Sequence, residues 1–435
     1  MAKKVYLKDS ETLKVLKKKV DALKILSEIS AIISSTFDLD ELLTIVMEKA
    51  KGVMNAEACS ILLYNKETKK LEFEVALCRE KATSEILKKK ITLDLGQGIA
   101  GWVAEKREIL IIGDVRKDRR FFQEADNITG FVTKSIIAAP LIGRRGLIGV
   151  AEIINPKKKE YDLEVLQILI RHFAIAIENA FFYKDAIERE RLKQELEIAS
   201  SLQKSFLPDS PSFSKALITV SAVNIPAKQV GGDLYDYLDL SGHRMGVFIG
   251  DVSGKGVTAA LFMAKIISDF RYAAGAEKTP DAVMNRLNLL FSRAPRGMFL
   301  TATYLIIDAF AGILDISVAG HPPCLWITGN NVEALSVDSG PPLGIIPEKY
   351  LSERVTLSRG DRIILLTDGV FEARNKKGHM IGFGNLVKFV KDHVREGHLP
   401  QKIADYVRDF SKSVEISDDL TIVEVGYGYE GAQHG

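Results

Sequence analysis

Four short motifs in the C-terminal half of the chain place six aspartates where apolar runs stop: Asp233 and Asp236 in GGDLYD, Asp251 in GDVSGKG, Asp368 in LLTDGVFEAR, and Asp418 and Asp419 in SDDLT. Carboxylates delivered by strand ends sit on rigid backbone and can share a pair of divalent cations. Any one such acid is ordinarily a turn former or a helix cap, but four such sites in one region point beyond that use. An all-oxygen donor set suits Mg2+ or Mn2+, because softer metals call for Cys or His, and the seven histidines form no HxxxH or HxH pair. Two ions about 3.5 to 4 Å apart can acidify a bridging water and clamp a phosphoryl group for in-line attack. That chemistry is hydrolysis of a phosphate ester without a protein nucleophile.

Other residues near these motifs invite assignments of their own. The GKG turn before a helix suggests a phosphate loop, but that motif needs GxxxxGK followed by Ser or Thr, and here three residues separate Gly250 from Gly254 and Gly256 follows Lys255. Ser253 lies outside any GxSxG pattern and has no evident base. His321, in AGHPP, has a strand-to-turn setting that reads as a hydrogen-bonded structural histidine, with a general acid as the sharper alternative. Lys255 reads as a solvated turn lysine, with contact to a substrate phosphate as the alternative.

The elements that must hold the aspartates form a strand-rich region. LITVSAVNI, DLYDYLDL and RMGVFIGDV read as strands, Val257 to about Ala274 and Pro280 to Arg293 as helices, and ATYLIIDA, GILDISVAG, PCLWIT, DRIILLT and LTIVEV as further strands. Consecutive short strands outnumbering helices imply an antiparallel sandwich with helices on its faces rather than a doubly wound parallel sheet.

The N-terminal half has a different order. Apolar residues three and four apart from Leu13 to Ile33 mark an amphipathic helix, and a second helical stretch follows Asp38. ACSILLYN and LEFEVALC then form a hairpin around NKETKK, a Gly-rich entry leads to a short helix in GQGIAGWVAEK, and SIIAAPLI and GLIGVAEIIN add strands. A helical pattern from Tyr161 through Tyr183 closes an α+β unit. It continues without Gly or Pro to Pro208, with Leu192, Leu196, Ala199, Leu202 and Phe206 spaced as a short coiled-coil seam.

At 435 residues the chain is too long for one ordinary core. The expected divisions are an N-terminal amphipathic helix (1–21), a sensor domain (22–183), a helical linker (184–210), a catalytic domain (211–428) and a tail (429–435). A net charge of +2 without basic-aromatic clusters argues against nucleic acid as a partner. No apolar run long enough to span a bilayer and no signal-like N-terminus are found, and Cys59, Cys78 and Cys324 have no CxxC spacing, so a reducing cytoplasm is expected.

Taken in order, GGDLYD, GDVSGKG, LLTDGVFEARN and SDDLT, with VAGHPPCLWI and SGPPLGI between them, resemble the bacterial PPM-type serine/threonine phosphatases of the SpoIIE/RsbU group. The resemblance implies that Asp251 bridges two Mn2+ or Mg2+ ions, that the Val252 carbonyl also faces the site, and that Asp233 serves the second ion. Asp368 and Asp418 would complete the shell of the first ion, with Asp419 adjacent and Asp236 in a supporting role. It also implies a phosphorylated STAS-type anti-sigma factor antagonist as substrate, within a partner-switching pathway.

Residues 22 to 183 resemble a GAF domain through ACSILLYN, GQGIAGWVAEKREILIIGDVRKDRRF and SIIAAPLIGRRGLIGVAEIINP. This specifies a fold and leaves the ligand unknown. Asn155, Tyr161 and Asp162 partly resemble the Asn-Lys-Phe-Asp-Glu pattern of cyclic-nucleotide GAF domains, with Pro156 replacing the lysine and Tyr161 the phenylalanine. Cys59 and Cys78 read as small buried hydrophobes rather than chromophore or redox sites. The combined expectation is a GAF-regulated phosphatase, homodimeric through its N-terminal and linker helices. The rivals are a non-catalytic GAF adaptor and a GAF-linked nucleotide cyclase.

Overall fold

A computed structural model describes residues 39–77, 91–157, 163–291, 297–412, 414 and 416–428. The helix expected from Leu13, Cys78, Tyr161, Asp162 and the tail lie outside these residues. Two compact units meet in chain order between Arg191 and Leu192.

The first unit is built on a six-stranded antiparallel sheet in the order β3-β2-β1-β6-β5-β4. Its strands are β1 (Ala58–Asn65), β2 (Lys70–Leu77), β3 (Thr92–Asp94), β4 (Leu110–Ile112), β5 (Ile136–Gly143) and β6 (Gly146–Ile154). Strand alternation decides which side chains meet which layer. On β6, Ala151 and Ile153 face a core shared with α1 (Leu39–Met54) and with Leu166, Phe173 and Ile177 of α4 (Leu163–Lys204). Val150 faces the opposite core, beneath α2 (Gly98–Lys106), beside which α3 (Glu124–Thr129) lies.

Helix α4 runs unbroken for 42 residues. It ends four residues before Pro208, where a ring without an N–H cannot continue the helix. Ile187, Leu192, Ile198 and Leu202 are exposed along it.

The second unit is a sandwich of two sheets. One has the order β15-β12-β11-β10-β9, with β16 also paired to β12, and the other has the order β14-β13-β17-β18-β8-β7. The first comprises β9 (Asp233–Leu240), β10 (Arg244–Val252), β11 (Leu300–Asp308), β12 (Ile313–Ala319), β15 (Ser339–Gly340) and β16 (Glu353–Thr356). The second comprises β7 (Ser212–Lys215), β8 (Ile218–Ile225), β13 (Leu325–Thr328), β14 (Asn331–Ala334), β17 (Arg362–Leu366) and β18 (Leu420–Tyr427).

Val247, Ile249, Leu305, Ile363, Leu365, Val423 and Val425 fill the space between the sheets. On the outer side of the first sheet, Phe248, Leu234 and Tyr304 pack against α5 (Val257–Ala276) and α6 (Pro280–Phe291). Beyond the second sheet, Ile364, Leu366 and Ile422 pack against α7 (Gly369–Glu372), α8 (Phe383–Asp392) and α9 (Leu399–Phe410). The result is the helix-flanked sandwich that the run of short strands implies, antiparallel except for the short parallel pairing of β15 with β12. No helix among the described residues is long and apolar enough to cross a membrane.

Candidate metal centre

The inner faces of both sheets change from apolar to polar at one end of the sandwich. On β10, Val247 and Ile249 lie in the inner core, and period-two alternation carries Asp251 onto the same face. Asp251 is the register partner of Asp233 at the start of β9. In the opposing sheet the same alternation continues Ile363 and Leu365 to Thr367, and Val425 and Val423 back to Thr421.

Asp233 joins the two sheets at this end. Its Oδ2 accepts hydrogen bonds from Thr367 Oγ1 and Thr421 Oγ1, both at 2.7 Å. Thr367 Oγ1 in turn accepts from the Thr421 amide at 3.0 Å. These threonines escaped the sequence reading, although each belongs to a motif already singled out, TDG and DDLT.

The carboxylates are crowded. Burial, then repulsion from Asp251, holds Asp233 well above the ordinary carboxylate range. Burial, then the charges of Asp368, Asp418 and Asp419, raises Asp251. Asp368, at the start of α7, is raised by burial and then by Asp418 and Glu372. Lys255 reaches into this site, donating to Asp418 Oδ2 at 3.0 Å and to the Ser417 carbonyl at 2.7 Å.

Two glycines before Asp233 make room for this crowding. A Cβ on Gly231 would lie 2.3 Å from Asp419 Oδ2, and one on Gly232 would lie 2.8 Å from the Val252 carbonyl oxygen. That carbonyl thus looks toward the loop that delivers Asp233.

The two remaining aspartates have other partners. Asp419 accepts from the Ala227 amide at 2.7 Å through Oδ1 and from the Gly232 amide at 2.6 Å through Oδ2, pinning the loop before β9 to the start of β18. Asp236 is three residues from Asp233 and therefore points to the opposite face of β9. There it pairs with Arg271 of α5 at 2.7 Å.

His321 is buried, its Nδ1 lies 3.0 Å from Thr301 Oγ1, and burial lowers it to about 3. A ring that is neutral at physiological pH lacks the imidazolium proton that a general acid gives up. Ser253 Oγ accepts from the Phe299 amide at 2.8 Å and donates to the Gly297 carbonyl, which ties down the segment before β11.

Residues 241–427 match the family described as Stage II sporulation protein E (SpoIIE), and residues 38–177 match the GAF domain family. The chain carries a GAF domain followed by a SpoIIE-type phosphatase domain. Phosphoserine phosphatase RsbP of Bacillus subtilis is 31% identical over 186 residues, covering 41% of this chain and 46% of RsbP. Phosphoserine phosphatase RsbU of the same organism is 27% identical over 240 residues, covering 54% of this chain and 70% of RsbU. The chain therefore spans about half of one relative and over two thirds of the other. Among solved structures, the SiaA-PP2C domain of Pseudomonas aeruginosa superposes with a TM-score of 0.51 at 21% identity, covering 56% of this chain and 99% of that domain, a likeness of fold.

In this SpoIIE-type domain the donor set suits a hard divalent cation, since it is all oxygen and its mutual repulsion is relieved by positive charge. Among the described residues, no three His, Cys, Asp or Glu groups stand close enough to enclose one ion. Asp418 is paired with the Lys255 ammonium.

Proposed function

We propose that this chain is a metal-dependent phosphoserine or phosphothreonine protein phosphatase whose rate is set by its GAF domain. The observation that carries the reading is the pairing of Asp233 with Asp251 across β9 and β10, with Asp368 and Asp418 close enough to perturb Asp251. Asp251, Asp368, Asp418 and the Val252 carbonyl would hold one divalent ion, and Asp251 with Asp233 a second. Bound there, Mn2+ or Mg2+ would supply positive charge for the phosphoryl oxygens and a water acidic enough to attack phosphorus.

The chain's own residues account for the remainder. Thr367 and Thr421 fix the Asp233 carboxylate, and Asp419 fixes the loop that carries it. Lys228 and Lys255 line an open groove beside Asp418 and Asp419, whose two negative charges they balance, so that bound divalent ions would make it attractive to an anionic phosphoprotein segment. The names of RsbP and RsbU, both phosphoserine phosphatases, support a phosphoserine substrate, and the motif resemblance adds a phosphorylated STAS-type anti-sigma factor antagonist in a partner-switching pathway. The exposed apolar residues along α4 support a homodimer through this helix.

The Lys255 to Asp418 ion pair favours a second reading, a GAF adaptor with a non-catalytic phosphatase-like module, because an ammonium can balance these acids without metal. One assay separates the two. The full chain is expected to release phosphate from p-nitrophenyl phosphate only with Mn2+ or Mg2+, to lose activity on chelation, and to lose at least 100-fold in rate as Asp251→Asn, about the effect of removing a key electrostatic group. Equal low rates for wild type and Asp251→Asn would select the adaptor.

A further inference from the structure

The groove beside Asp418 is walled by three chain segments: the loop from Ala227 to Val230 before β9, the Lys255–Gly256 turn before α5, and Ile416 to Asp419 before β18. Hydrogen bonds tie these walls together. Asp419 Oδ1 accepts from the Ala227 amide at 2.7 Å, and Lys255 Nζ donates to the Ser417 carbonyl at 2.7 Å. The groove is therefore formed before anything enters it, which lowers the ordering cost of binding. Its volume is about 270 Å3, short of a drug-sized site and matched to one or two aliphatic side chains.

Ala227, Val230 and Ile416 give the groove its apolar surface. Val230 is buried, and Ile416 packs against the core that α8 and α9 share with the second sheet, so both are held in place. The charged lining is balanced, Lys228 and Lys255 against Asp418 and Asp419. An acidic side chain entering here would meet the two aspartates, and a basic one the two lysines, so either sign carries a repulsive contact. An aliphatic side chain meets neither penalty and gains by leaving water.

We infer that this groove is a specificity pocket for an aliphatic residue adjoining the phosphoserine or phosphothreonine of a protein substrate. On the phosphatase reading, which this assignment presupposes, the phosphoryl group sits at Asp251, Asp368 and Asp418. Asp418 belongs to the groove as well. Consecutive residues of a chain are only about 3.8 Å apart, so the neighbour of the phosphorylated residue reaches the groove once the phosphoryl group is in place. The phosphoryl group then supplies attraction to the centre, and the adjoining side chain decides which phosphorylated segment is kept.

Fluorescence anisotropy on the full chain with Mn2+ tests this with labelled alanine-based peptides that carry a phosphonate analogue of phosphoserine, which cannot be hydrolysed. Leucine is placed before or after the phosphonate, with serine at the same positions as the control. At least one leucine peptide is expected to bind about tenfold more tightly than its serine control, as burial of most of one aliphatic side chain supports. Ile416→Ser, which removes apolar surface, and Ala227→Leu, which fills the groove, are each expected to cut that preference to about twofold or less. Thermal melting establishes that both variants are folded. Equal binding of leucine and serine peptides, a preference that either variant leaves intact, or no binding of any peptide overturns the assignment. Turnover of p-nitrophenyl phosphate, which has no adjoining residue, reads the phosphatase activity separately. Turnover without a leucine preference removes the pocket and keeps the phosphatase, and a leucine preference without turnover keeps the pocket as a phosphoprotein-binding groove of the adaptor.

Discussion

Gln203 pairs with both sides of Gly231: its Nε2 donates to the Gly231 carbonyl at 2.6 Å, and the Gly231 amide donates back to its Oε1 at 3.1 Å. Gln203 stands in the last turn of α4, and Gly231 is two residues before Asp233. The end of the long helix is thereby fastened to the loop that carries Asp233, a proposed metal ligand. A second fastening lies nearby, where Arg271 bonds both Asp236 and the Phe206 carbonyl. Gln203→Ala is expected to lower the phosphatase rate about tenfold, equivalent to 1.4 kcal/mol, by freeing this loop. Gln203→Glu keeps one of the two bonds and is expected to fall between. Initial rates on p-nitrophenyl phosphate at saturating Mn2+ check both, and a wild-type rate for the alanine variant would show that the contact does not matter to the site.

Thr421 and Thr367 hold the most buried carboxylate of the site. Replacing Thr421 with Val keeps the shape of the side chain and removes one of two hydroxyl donors to Asp233. A buried acceptor that loses a donor costs about 1 to 3 kcal/mol. Thr421→Val is therefore expected to lower the unfolding free energy of the second unit by that amount, read from urea denaturation, and to raise the Mn2+ concentration needed for half-maximal rate.

Much of this architecture could be read from alternation. Apolar residues at every second position put Asp251 in line with Val247 and Ile249, and the odd spacing of Asp233 and Asp236 sets them on opposite faces. Fold class followed from the density of short strands. What escaped depends on contacts distant in sequence. Gln203 meets Gly231 and Thr421 meets Asp233 across the fold, and neither residue type announces itself within a helix or a strand. Helices α8 and α9 were passed over too, although Leu386 and Val390, then Leu399, Ile403 and Val407, recur every four residues. Gly382 and His398, both at positive φ before these helices, offer no side-chain cap as a starting signal.

On the proposed metal reading, Lys255 would compete with a divalent ion for Asp418. The pair is half exposed at 51% and 40%, so solvent weakens it, and its loss costs the fold little. Lys255→Met is expected to lower the Mn2+ concentration for half-maximal activity about two- to fivefold, the range that a partly exposed ion pair of up to about 1 kcal/mol supports. A Mn2+ titration of rate checks this. A higher Mn2+ requirement in the variant would instead assign the ammonium to holding Asp418 in place for the ion.

Glu152 makes the stability of the GAF domain depend on pH in a defined direction. Its carboxyl rises from the ordinary 4.5 to about 7 in the folded state because burial disfavours the charge, with the Ser60 hydrogen bond opposing in part. Below the lower value both folded and unfolded chains hold the proton, and Glu152 imposes no ionisation penalty. As pH rises from about 4.5 to 7, the unfolded chain releases its proton first, so the folded state loses stability progressively. Above about 7 the loss is complete, at about 3 kcal/mol for a shift of this size. Glu152→Gln cannot ionise, and it is expected to match the wild type near pH 4.5 and to exceed it in stability by up to that amount at pH 8. Thermal melts of both proteins across this range measure the difference, and a constant gap would place the carboxyl in contact with water rather than buried on the sheet.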